Sequence, residues 1–322
     1  MDARPEVPSV AGVGEFGLIT QVTAHLRQGP SVLLGPGDDA AVVAVPDGRV
    51  VVTTDVLVEG RHFRRDFSSA GDVGHRAAAQ GLADVAAMGA EATALVVGLA
   101  VPGSLEAAWV LELAEGMAAE CDLVGASIVG GDVVGADTVV VSVTALGDLV
   151  GRTPVTRAGA RPGDVVAVAG RLGWAAGGLA VLQRGFRMPR ALVEAHRRPL
   201  PPYAAGPRAA LAGAHAMCDV SDGLLADLGH VAEASGVCVD VDPGRLEIAQ
   251  PLRDAGAALG IDPLAWVLTG GDDHALVACF PVDEQLPEGY APVGRVLATG
   301  EPGEVLVAGA AWTGERGHAH FR

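Results

Sequence analysis

The chain contains no lysine; all 22 of its basic residues are arginine, set against 39 Asp and Glu. That absence excludes the P-loop lysine, the protein-kinase lysine and any Schiff-base lysine. The formal net charge of −17 argues against a nucleic acid or an anionic membrane as partner, because both require basic patches. Aromatic residues are only 4% of 322, so Val, Leu and Ala must fill the core. The four cysteines (Cys121, Cys218, Cys238 and Cys279) are far apart and form no Cys-x-x-Cys. Their apolar settings mark them as small core residues. The longest apolar runs, such as 92–102, are too short to span a bilayer. No basic stretch followed by an apolar one opens the chain. A cytoplasmic location is the expectation.

Half the residues are hydrophobic, and the length suits two domains. Short Val- and Thr-rich runs bounded by Gly and Pro predict strands at 32–34, 40–45, 49–54, 94–101, 127–129 and 138–145. Helical spacing predicts helices at 14–28, 71–88 with Gly89 as C-cap, and 105–120 with Ser104 as N-cap. A boundary falls near Val150, giving domains 1–150 and 151–322. Beyond it, strands are expected at 165–169, 237–241 and 275–280, and helices at 224–234 and 252–259. The Arg- and Pro-rich 187–202 reads as a surface connection. Mixed strand and helix order, without strict βαβ alternation, predicts α+β sandwiches.

The chemistry sits in acidic residues at the ends of apolar segments. The stretch 35–55 carries Asp38, Asp39, Thr53, Thr54 and Asp55, and a hairpin or neighbouring strands would bring its acidic ends together. Asp84 shares a stripe with Ala77, Gly81 and Met88 on the Ala-rich helix. Gly130-Gly131-Asp132 follows a strand as a turn would. Asp219-Val220-Ser221-Asp222-Gly223 precedes a helix, where caps and phosphate-binding amides are found. Gly270-Gly271-Asp272-Asp273 follows an apolar run. Grouped carboxylates repel and are costly to desolvate unless a cation joins them. Oxygen donors without a His or Cys cluster point to Mg²⁺, which favours carboxylates, water and substrate phosphate.

These stretches, in this order, resemble thiamine-monophosphate kinases of the aminoimidazole-ribonucleotide synthetase-like superfamily. The resemblance rests on Gly14-Glu15-Phe16-x-Leu18-Ile19, Gly37-Asp38-Asp39-Ala40, Thr53-Thr54-Asp55-x-Leu57-Val58-Glu59-Gly60-x-His62-Phe63 and Leu82-Ala83-Asp84-Val85-Ala86-Ala87-Met88-Gly89. Gly130-Gly131-Asp132, Thr156-Arg157-x-Gly159-Ala160-x-Pro162-Gly163-Asp164 and Asp219-x-Ser221-Asp222-Gly223-Leu224 complete it. It implies ATP-dependent phosphorylation of thiamine monophosphate to thiamine diphosphate. It also implies an N-terminal domain that binds ATP and Mg²⁺ and forms a homodimer through its strands, and a C-terminal α/β domain that closes the active site. Carried over residue by residue, Asp39, Thr53, Thr54, Asp55, Asp84, Asp132, Asp219 and Asp222 are the implied Mg²⁺ ligands. Gly131, Asp132, Arg157 and Ser221 are implied around ATP, and His62, Asp272 and Phe321 around thiamine monophosphate. Asp55, Asp84, Asp132 and Arg157 are the implied catalytic set. The family usually shows Gly-Gly-Glu-Asp-Tyr-Glu where this chain has Gly270-Gly271-Asp272-Asp273-His274-Ala275. That departure keeps two other readings open: a different ATP-dependent enzyme of the superfamily, and a non-catalytic metal- and nucleotide-binding protein.

Overall fold

Valine-rich runs cut by Gly and Pro become strands through most of the chain. The computed structural model describes residues 8–36 and 40–318, the side chains of residues 15 and 16 excepted. Two units emerge: Met1–Leu82 with Ala92–Asp148, and Ala83–Glu91 with Leu149–Arg322.

The first unit contains α1 (Val10–Val13), α2 (Glu15–Thr23), β1 (Val32–Leu34), β2 (Val42–Val43) and β3 (Val51–Val58). Then come α3 (Ala70–Ala87), β4 (Glu91–Val101), α4 (Ala107–Asp122), β5 (Ser127–Gly135) and β6 (Val140–Asp148); the units divide within α3, after Leu82, so Asp84 and Glu91 fall in the second. Its main sheet has the order β3-β6-β4-β5. β3 runs antiparallel to β6, with Asp55 opposite Val143, and β4 runs parallel to β5. Strand alternation puts Thr53, Asp55 and Leu57 on one face and Val52, Thr54 and Val56 on the other. The first face meets α3, since a Cβ on Gly81 would lie 3.0 Å from Ala145 Cβ and 3.8 Å from Asp55 Oδ2.

α3 and α4 touch backbone to backbone. A Cβ on Gly116 would lie 2.2 Å from the Gly71 carbonyl oxygen, and one on Gly74 2.0 Å from that of Leu113. Gly71 N donates to Glu112 Oε1 (3.1 Å), and His75 Nδ1 meets buried Glu120 at 2.8 Å. Two sequence expectations are corrected. β2 pairs with β1 and β3 with β6, so the 35–55 stretch is not a hairpin of neighbouring strands. α4 starts at Ala107 behind Glu106, not behind Ser104, and no side chain caps it.

The second unit contains β7 (Val165–Ala169), α5 (Trp174–Gln183), α6 (Arg190–Arg197), α7 (Ala205–Leu211), β8 (Ala216–Val220) and α8 (Leu224–Ser235). β9 (Cys238–Val241), α9 (Gln250–Leu259), α10 (Pro263–Thr269), β10 (Ala275–Phe280), β11 (Tyr290–Leu297), β12 (Val305–Val307) and β13 (Ala310–Ala311) follow. The seven-stranded sheet has the order β13-β12-β9-β11-β7-β10-β8 and is antiparallel except for β12–β9. Mostly antiparallel sheets with helices against them make this the α+β class that the mixed element order predicts. Every residue of β8 and β10 is buried, as in strands covered on both faces. The 187–202 segment is not a plain surface connection. It contains α6, which buries Leu192, Val193, Ala195 and His196. Its Arg and Pro content hides an amphipathic helix that packs on α5 where a Cβ on Gly178 would lie 2.0 Å from Leu192 O. Among the described residues no helix is long and apolar enough to cross a membrane.

The close approach of α3 and α4 makes Gly116→Ala destabilising by about 1–3 kcal/mol, the usual cost of overpacking. Gly229→Ala on α8, where an added Cβ meets nothing within 4 Å, should be neutral or mildly stabilising. Urea midpoints of both variants check the contrast.

Candidate active site

In the first unit, Thr53 and Asp55 share the face of β3 that meets α3 at Gly81. Asp84 follows Gly81 by three residues on that helix, so it lies on the same side of it and is half-buried. Thr54 is on the opposite face, its hydroxyl near Val143 O (3.3 Å) and Thr144 Oγ1 (3.1 Å). The chain turns after β3, and Val58 N donates to His62 Nδ1 at 3.0 Å. An accepting Nδ1 places the imidazole proton on Nε2. Asp39 and Phe321 lie outside the described residues.

Gly130-Gly131-Asp132 is not a turn after a strand; β5 runs through it to Gly135. The ladder slips by one residue, pairing Leu95 with Ile128 and then Val96 with Gly130. Past this bulge, Gly131 approaches β4 so closely that a Cβ would lie 2.0 Å from Val97 O. The register puts Asp132 on the side of Val96 and Val134, exposed, with Oδ1 accepting from Val133 N at 2.9 Å. β3 and β5 are the two edges of the sheet, three strand spacings or about 14 Å apart. This unit therefore groups Thr53 with Asp55 but brings neither Thr54 nor Asp132 to them. Beside Gly131 an apolar cavity of about 90 Å³ opens between α2, α4 and β5, lined among others by Val22, Leu26, Leu99 and Met117.

The second unit gathers a denser group. Asp219 stands near the end of β8, and Asp222 lies in the loop to α8. Sequence reasoning left this loop's amides free for phosphate. Instead, Asp222 N and Gly223 N both donate to Asp227 Oδ2, each at 3.0 Å. Oxygen or nitrogen atoms of Asp222, Asp227 and His230 lie within 4.8 Å of one another. Burial first, then the charges of Asp219 and Asp222, push the Asp227 carboxyl up to about 7. Arg157 belongs to the same neighbourhood. Burial chiefly raises the Cys218 thiol, with Asp227 and Asp219 adding to the rise and the Arg157 charge opposing it. Ser235 Oγ anchors the Arg157 segment, donating to Arg157 O (3.0 Å) and accepting from Gly159 N and Ala160 N (3.1 Å each).

The 270–275 segment locks onto this loop. Asp272 N donates to Ser221 O at 2.8 Å, and His274 N to Val220 O at 3.1 Å. Asp272 and His274 take positive φ, +66° and +52°. Added Cβ atoms would lie 2.2 Å from Ser221 O at Gly271 and 2.6 Å from Thr269 O at Gly223. His274 is buried, with Nδ1 3.1 Å from Asp219 Oδ2. Buried Asp273 accepts from Ala175 N (2.9 Å) at the start of α5. Among the described residues its Oδ2 has no hydrogen-bond partner. Burial pushes the Asp273 carboxyl up to about 7, against the opposing amide bonds and Arg171. His318 N donates to Asp222 O at 3.0 Å, bringing the C-terminal segment to the same loop. Sequence reasoning missed Asp227, Asp273 and His274 as parts of this arrangement. An acid four residues past the Gly223 that opens the helix was the one signal for Asp227.

Two family models divide the chain between them. Residues 37–149 match AIR synthase related protein, N-terminal domain, and residues 161–288 match AIR synthase related protein, C-terminal domain. The fold is thus of the AIR synthase related class. Thiamine-monophosphate kinase of Mycobacterium tuberculosis is 51% identical over 98% of this chain and 94% of its own length. That of Corynebacterium glutamicum is 40% identical over 92% and 90%. The structure of AaThiL complexed with AMPPCP and TMP matches with a TM-score of 0.78 and 30% identity, covering 95% of this chain and 97% of that one. The chain belongs to the thiamine-monophosphate kinase family.

The raised Asp273 carboxyl sets a pH dependence of stability. Folding favours its protonated form, so the contribution is complete below the ordinary value of 3.8 and is lost as pH rises through about 7. Asp273→Asn, which keeps the acceptor for Ala175 N, should lose less of its thermal midpoint between pH 5 and pH 8 than the native chain. Melting curves at the two pH values check this.

Proposed function

We propose that this chain transfers the γ-phosphoryl group of ATP to the phosphate of thiamine monophosphate, giving thiamine diphosphate. The observation that carries the reading is the crowding of Asp219, Asp222 and Asp227 around one loop, with Arg157 beside them. Cations among the oxygens would relieve the repulsion within such a group, and a donor set of this kind fits Mg²⁺. Thr53, Asp55, Asp84, Asp219 and Asp222 would hold the ions; Asp39, Thr54 and Asp132 join them by resemblance alone. Bound Mg²⁺ would neutralise and orient the phosphate oxygens during in-line transfer.

The chain's own groups do the remaining work. The acceptor is already an anionic phosphate oxygen, so no strong general base is required. Arg157 supplies a positive charge to the ATP phosphates in a protein without lysine. The apolar cavity beside Gly131 suits the adenine base, and by resemblance Asp132 and Ser221 would lie around the ATP phosphates. By resemblance, His62, Asp272 and Phe321 would bind the acceptor. His62 would use its Nε2–H as a donor. We place the protein in the cytoplasm as a homodimer, built from an ATP- and Mg²⁺-binding dimerisation domain (1–150) and a C-terminal α/β domain (151–322). Support for the dimer comes from the outward face of the β3-β6-β4-β5 sheet, where Val52, Val56, Val96 and Val134 are 60%, 47%, 39% and 51% exposed. An apolar face of that extent suits a second copy of itself.

Incubation with ATP, Mg²⁺ and thiamine monophosphate should yield thiamine diphosphate and ADP in equal amounts. Nucleotide binding without product would favour a binding protein, and ADP release only with another acceptor would favour a different enzyme. Asp55→Ala should nearly abolish turnover with the circular dichroism spectrum unchanged; near-normal turnover would remove Asp55 from the site. Val56→Asp should convert a dimer into a monomer by light scattering.

A further inference from the structure

We propose that His274 is a positioning residue that fixes the Asp219 carboxylate through its Nδ1–H. The inference rests on the kinase reading above and adds a residue to it. Asp219 is 4% exposed and His274 2% exposed. Their contact, Nδ1 to Oδ2, is 3.1 Å. A carboxylate can only accept, so the proton of this bond sits on Nδ1.

The backbone holds the imidazole there. β8 and β10 are paired, with Leu276 opposite Asp219 and Ala275 opposite Val220. Just before β10, His274 N donates to Val220 O, and φ of +52° turns the residue out of strand alternation. Histidine tolerates that region better than most side chains do. The ring therefore returns over the end of β8 rather than continuing the ladder.

Asp219 has acidic company, because its charge and that of Asp222 are felt at Asp227. A buried carboxylate among carboxylates needs a donor to hold one orientation. A bond to Oδ2 sets the plane of the group and so the direction of Oδ1, the oxygen left to face a cation. Partners of this kind around metal ligands govern metal affinity by about 10–100-fold. In this chain the position carries His where the family pattern has Tyr, and the next residue, Ala275, removes an acid from the same segment.

The test compares His274→Phe, which keeps a ring without a donor, with His274→Asn, which restores a short N–H donor and accepts positive φ. Mn²⁺ binding to the full chain without nucleotide is read by electron paramagnetic resonance. Turnover of thiamine monophosphate, with KM and kcat separated, and the thermal midpoint are read beside it. The Phe variant should bind Mn²⁺ about 10–100-fold more weakly and lose kcat, with KM for thiamine monophosphate unchanged. The Asn variant should recover most of both. Folded Phe and Asn variants that both match the native chain in Mn²⁺ affinity overturn the proposal. So does equal loss in the two, tracking a lowered midpoint. His274-dependent Mn²⁺ binding in a native chain that makes no thiamine diphosphate would support the positioning role and sink the kinase reading instead.

Discussion

Like charges held close together are the constraint on which the rest of this protein depends. Asp219, Asp222 and Asp227 share one loop and one helix start, and the carboxyl of Asp227 is driven up to about 7 by burial and by the other two. A chain free to relax would separate such groups. The fold prevents this with directed bonds. Asp227 is committed to the amides of Asp222 and Gly223. Asp219 is held by His274, and Ser221 O by Asp272 N. Repulsion is thereby kept in the folded protein.

Glycine makes that restraint possible. The 219–223 loop, the 269–274 segment and the C-terminal segment approach one another at distances a Cβ would forbid. Gly271 lies against Ser221 O, Gly223 against Thr269 O, and Gly317 against Asp222 O. The same device joins α3 to α4 through Gly71, Gly74 and Gly116 in the first unit. The helix carrying Gly81 toward Asp55 is thus seated on α4 by backbone contact.

Much of the fold was legible because apolar runs announce their own periodicity. β7 and β10 begin and end where their Val- and Ala-rich runs do. The Ala-rich α3 is legible to within a residue at each end. α6 was not, because Arg and Pro masked four buried positions. The acidic motifs were visible one by one, but their grouping was only partly so. A one-residue bulge in β5 decides which face Asp132 takes, and a slip of one residue reverses every side chain beyond it. Thr54 and Asp55 are neighbours in sequence and face opposite ways in the sheet. Asp227 looked like an ordinary helix residue, since its partners are amides of its own preceding loop. Asp273 and His274 are defined by contacts to α5 and β8, about 98 and 55 residues away, beyond the reach of local pattern.

If the acidic groups are held together for cations to bridge, Mg²⁺ must stabilise the fold. Thermal unfolding of the full chain against Mg²⁺, at ionic strength fixed with NaCl, tests this most directly. The midpoint should rise saturably with Mg²⁺ and rise further when a non-hydrolysable ATP analogue is added. A midpoint no higher with Mg²⁺ than with NaCl alone at the same ionic strength would contradict it.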